Sequence, residues 1–112
     1  MQYRENILRQ LKREIPEFEY DGMDKEDVFI VFSFFSAFII NNLNDEGLLN
    51  RIVRLIDEIC TIDNINVMPL LDEIAITLYD NGCYDIIRRK LSARAIQYFD
   101  ETIGKWKKGN SF

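Results

Sequence analysis

Val28-Phe29-Ile30-Val31-Phe32-Ser33-Phe34-Phe35-Ser36-Ala37-Phe38-Ile39-Ile40 is the most apolar run in the chain and contains no charge. A bilayer span needs about 20 apolar residues, so this stretch, interrupted by Ser33 and Ser36, is too short to cross a membrane. It reads as a helix greasy on all sides, which other helices must surround. The β-branched and aromatic content of Val28 to Phe35 also suits a buried strand, although a lone strand would have no partner to pair with.

Outward from this run, the spacing is helical in both directions. Upstream, Tyr3, Ile7, Leu8, Leu11 and Ile15 recur at steps of three and four until Pro16 stops the turn. A connector packed by Phe18 or Tyr20 follows, and Asp24 is the expected cap of the apolar helix, with Asp27 in its first turn. Downstream, Asn41 to Asp45 has turn chemistry, and Leu48, Leu49, Ile52, Val53, Ile56, Ile59 and Cys60 form the clearest amphipathic stripe. Asn66 is the expected cap of a fourth helix with Pro69 in its first turn, lined by Leu70, Leu71, Ile74, Ala75 and Leu78 and stopped at Asn81-Gly82. Cys83 to Leu91 make a short fifth helix. Ser92 caps a sixth, which carries Ile96, Phe99, Ile103 and Trp106. The expectation is an all-α fold: a compact bundle of five to six short helices around a central aromatic-rich helix. Residues 1–23 supply the first helix and connector, and residues 107–112 a frayed tail.

The 112 residues suit one domain, 1–112, and a composition 47% hydrophobic with eight Phe and five Tyr supplies a core. Net charge is −5, so the average field repels phosphate backbones and anionic lipid, and the expected partner is a protein with a basic face rather than nucleic acid or membrane. The N-terminus has no signal-peptide pattern, which gives a cytoplasmic expectation, and Cys60 and Cys83 are then free thiols.

Catalytic chemistry finds little to work with. The chain has no histidine, which removes the usual general base, the Ser-His and Cys-His pairs and imidazole ligands. Its glycines are isolated, so no phosphate-binding loop forms. The acidic pairs Asp45-Glu46, Asp57-Glu58, Asp72-Glu73 and Asp100-Glu101 are of a type that can hold metal ions, but each abuts an apolar stripe from the solvent side and reads as a solvated face. No enzyme, cofactor or metal is expected. Cys60 lies on an apolar stripe, whereas Cys83 follows Gly82 near a helix start with Arg88 and Arg89 close by. Arg88, Arg89, Lys90 and Arg94 form a basic cluster, with Arg51 and Arg54 as further members and Asp85 placed to pair with Arg89.

The apolar run, followed by Leu55-Ile56-Asp57-Glu58-Ile59 and later by Ala95-Ile96-Gln97-Tyr98-Phe99-Asp100-Glu101, resembles a family of small bacterial helical proteins without established activity. The resemblance covers about residues 24 to 106 and rests on pattern more than identity. It implies an all-helical fold, and some such small acidic proteins look like immunity partners of bacterial toxins. Where relatives carry a small-acidic pair in the aromatic helix this chain has Ser33 and Phe34, so a role for that acid does not carry over.

The leading expectation is therefore a protein-binding module, in its most concrete form an immunity or antitoxin-type inhibitor of a basic bacterial protein. Asp57, Glu58, Asp72 and Glu73 are its candidate contacts. The alternative is a structural homo-oligomer, such as a homodimer, with Phe34, Phe35 and Trp106 at the shared interface.

Overall fold

A computed structural model of the chain describes residues 2–20, 27–62 and 64–109, and every regular element among them is helical. In order these are α1 (Gln2–Glu14), α2 (Val28–Ile40), α3 (Glu46–Ile59), α4 (Met68–Asp80), α5 (Tyr84–Arg88) and α6 (Ala93–Gly109). The strand alternative for Val28 to Phe35 is thereby removed.

Local chemistry explains most boundaries. Asp27 caps α2, its Oδ1 accepting the Ile30 N–H at 3.2 Å; Asp24, the expected cap, lies outside the described residues. Asp45 caps α3 in the same way, taking the Leu48 N–H at 3.1 Å. The start of α4 differs from expectation. Val67 occupies the cap position without a side-chain bond, Pro69 stands in the first turn, and the Asn66 N–H is taken by Asn64 Oδ1 at 2.9 Å. Proline leaves one fewer amide for a cap to satisfy, so the helix starts without the Asn66 side chain.

The end of α4 is a Schellman turn. Gly82 has φ of 70°, its N–H reaches Tyr79 O at 3.0 Å, and the Cys83 N–H reaches Leu78 O at 2.9 Å. A left-handed residue there satisfies two orphan carbonyls, which only glycine does without strain. After the short α5, Ser92 Oγ caps α6 through the Ala95 N–H at 3.2 Å. Residues 107–109, expected to fray, continue α6, while 110–112 lie outside the described residues.

Packing skips along the chain. α4 lies against α2 on one side and α6 on the other, so these three form a layer with α4 in the middle; α1 pairs with α3, and α3 also meets α6. The expected stripes of α3 and α4 are buried throughout, as are Ile7, Leu8, Leu11 and Ile15; the Tyr3 side chain lies outside the described ones. Phe18 and Tyr20 both turn inward, Phe18 with its ring 5.3 Å from those of Phe35 and Phe38. The aromatic-rich α2 supplies Val31, Phe32, Phe35 and Ile39, all fully buried, to the heart of the core. Its other face is open.

Candidate interaction surface

The open face of α2 consists of Phe29, Ile30 and Phe34, which are 44, 40 and 53% exposed, with Ser33 among them. Residues three and four apart are neighbours on a helix, so 29 meets 33 and 30 meets both 33 and 34: one contiguous patch. Ser33 donates to Glu73 Oε2 at 2.9 Å, and Thr77 holds the same oxygen at 3.4 Å. This places a carboxylate from α4 at the edge of the apolar patch. No ion pair to Glu73 forms among the described residues.

The residue before it faces the other way. Asp72 Oδ1 accepts the Tyr98 hydroxyl at 2.8 Å and the Thr102 hydroxyl at 3.1 Å, joining α4 to α6. Burial, then the bond to Asp72, raises the Tyr98 pKa above the ordinary tyrosine value. Consecutive residues on a helix point about 100° apart, so one acidic pair serves two neighbouring helices. Further along this seam, Trp106 Nε1 donates to Asp80 Oδ1 at 3.3 Å, leaving its ring partly exposed. Phe34, Trp106, Asp72 and Glu73 are thus brought to one layer, α2–α4–α6.

The remaining candidates are placed elsewhere. Asp57 Oδ1 accepts the Ser92 N–H at 2.9 Å, and Glu58 accepts the Gln10 amide. Both therefore join α3 to other parts of the chain. Phe35 takes no part in any surface: it is fully buried, edge-on to Phe32 and stacked with Phe38. Its position one residue from Phe34 turns it to the inner side of α2.

The basic cluster is divided by ion pairs. Arg88, rather than Arg89 with Asp85, finds the carboxylate partner: its Nε and Nη2 bind Asp100 at 3.1 and 2.8 Å, and the Tyr84 hydroxyl adds a bond at 2.6 Å. The Arg88 guanidinium, and then Tyr84, hold the Asp100 carboxyl below its ordinary pKa. Arg51 makes a bidentate pair with Glu17, and Lys90 lies 3.6 Å from Glu46. Cys60 is buried, which pushes its thiol up to about 11, with Asp57 adding to the effect. Cys83 ends the Schellman turn, its thiol donating to Asn81 O at 3.3 Å.

Sequence reading missed the carboxylate clasps because their partners Ser33, Tyr98 and Thr102 carry no charge and lie 26 to 40 residues away. No family model, curated protein or solved structure matches the chain. Among the described residues no helix is long and apolar enough to cross a membrane.

Proposed function

We propose that the chain is a protein-binding module whose outer α2 face is the anchoring surface. The observation that carries this reading is the patch of Phe29, Ile30 and Phe34, contiguous on one face of α2 and left in water. An aromatic ring presents roughly 150–250 Å² to bury, so covering the open half of Phe34 contributes about 2–3 kcal/mol to association. Glu73 at the patch edge and the net charge of −5 favour a partner with a basic face. An inhibitor that covers a basic bacterial protein, as immunity or antitoxin-type proteins do, is the most concrete form of this reading.

The test compares wild-type protein with Phe34→Ser and Glu73→Lys as baits at low and high salt. A defined basic protein should be retained by the wild type, lost by Phe34→Ser, and weakened by Glu73→Lys or salt. Identical captures by all three baits would remove the reading.

A structural homo-oligomer is the second reading, favoured by one observation: no charged residue lies between Val28 and Ile40. Two copies could therefore pair along α2 with no like charges of that helix set together, provided Glu73 at the patch edge is kept from its counterpart in the other copy. Sedimentation at micromolar concentration decides this. A dimer that Phe34→Ser dissociates supports it, and a monomer under all conditions excludes it.

A further inference from the structure

Away from α2, two open cavities lie end to end along α6. One, of about 410 Å³, runs between the α3–α4 loop and α6, with Cys60, Val67 and Leu71 as its floor. The other, of about 350 Å³, follows the seam of α4 and α6 as far as Trp106. Met68, Tyr98 and Glu101 line both, so the two are parts of one trough. Its length along α6, from Arg94 to Lys105, is about 17 Å at 1.5 Å per residue.

The lip of the trough is apolar and held outward. Ile65 is 78% exposed, more than any other large apolar side chain among the described residues, and Ile62 and Met68 stand beside it at 38 and 45%. In the described part of the loop after residue 63, three amides are taken up locally: Val67 N–H by Asn64 O at 3.0 Å, Met68 N–H by Ile65 O at 3.3 Å, and Asn66 N–H by the Asn64 side chain. Folding Ile65 inward would break those bonds, so its exposure is built into the loop.

The opposite rim is charged in a fixed order. Arg94, Glu101 and Lys105 are spaced seven and four residues apart, which puts them on one stripe of α6. None of them forms an ion pair among the described residues. Arg51, Arg88 and Lys90, by contrast, each meet a carboxylate.

We infer that this trough receives an amphipathic helix of a partner protein. Apolar side chains of that helix seat against Ile62, Ile65 and Met68, and its acid, base and acid face Arg94, Glu101 and Lys105 in turn. A helix lying in such a groove presents anchors at three- and four-residue steps, matching the period of the α6 rim. The inference rests on the binding-module reading and uses a part of the surface separate from α2.

The probes are two fluorescein-labelled helical peptides of about 14 residues, long enough to span the trough at 1.5 Å per residue. Both carry the same leucine face. One has Glu, Lys, Glu opposite the rim, and its twin has Lys, Glu, Lys, each made in both chain directions. Three exposed charge pairs set against three clashes should separate the twins by about tenfold in Kd, measured by anisotropy. In the triple variant Arg94→Glu, Glu101→Lys, Lys105→Glu the preference should reverse, while Phe34→Ser should leave it unchanged.

Equal binding of the twins, or no saturable binding of either, overturns the proposal. So does self-association that the triple variant abolishes, since that would assign the trough to a second copy. Loss of partner capture by Phe34→Ser with the peptide preference intact would mean that both surfaces operate. A peptide preference without any effect of Phe34→Ser on capture would remove the α2 reading alone.

Discussion

Phe34 and Phe35 are neighbours in sequence and opposites in environment. Phe35 is fully buried among aromatic rings, while Phe34 keeps 53% of its surface in water. Asp72 and Glu73 also part company on α4, both half-buried but one bonded to α6 and the other to α2. Composition treats each pair as a duplicate, whereas helical geometry gives its members different work. Phe35 and Asp72 tie the fold together, Phe34 lies open to another molecule, and Glu73 is held at the patch edge by Ser33 and Thr77.

The largest expected effect is on the inner face. Phe35→Ala should cost about 3–5 kcal/mol, because it removes a ring and leaves a cavity in packed surroundings. Urea unfolding measures it, and a loss below 1 kcal/mol, on the order of a surface change, would break the contrast. Next comes the clasp between α4 and α6. Asp72→Ala takes the acceptor from the Thr102 hydroxyl and the nearer of two from Tyr98, leaving it Met68 O at 3.4 Å, and should cost about 1–3 kcal/mol by the same measurement.

A smaller effect is expected in alkali. The Tyr84 and Tyr98 pKa values are raised by burial and then by Asp100 and Asp72 respectively. A tyrosine whose folded pKa is raised contributes stability that is full below the unfolded value of about 10 and is lost as pH rises above it. The urea midpoint should therefore fall above pH ~10, and Asp72→Asn should shrink that fall by releasing Tyr98. In acid the sign reverses for Asp100, whose pKa is lowered by Arg88: its contribution is lost as pH falls through the carboxylate range. On the outer face the effect on stability is smaller than on the inner. Only about half of the Phe34 ring is covered, so Phe34→Ser should cost clearly less than Phe35→Ala while removing partner capture, a separation that Phe35→Ala cannot produce.

How much of this was legible depended on whether a helix marks its own wet side. In α3 and α4 the exposed charges at Arg54, Glu58 and Asp80 do so, and the buried stripes follow from spacing alone. In α2 every position from 28 to 40 is apolar or small, so periodicity has nothing to act on. Only the tertiary arrangement, with α4 on one flank and Phe18 on another, selects Phe35 over Phe34. The acidic pairs read as a solvated face, whereas Asp57, Asp72 and Glu73 are half-buried and held by amides and hydroxyls far along the chain, which spacing does not connect. The trough along α6 depends on Ile62 and Ile65, which fall in a turn-rich loop where periodicity makes no statement.

The principal helix pairs each skip a neighbour: α1 with α3, α2 with α4, α4 with α6. On a ribosome that order has a cost in time. The greasiest segment of the chain ends at Ile40, yet the helix that covers its flank ends only at Asp80. At 5–20 residues per second, those intervening residues take about 2–8 s to be made. Throughout that interval the flank of α2 that α4 will cover stands open, with Phe18 already made to meet Phe35, so the nascent chain shows more apolar surface than the finished molecule.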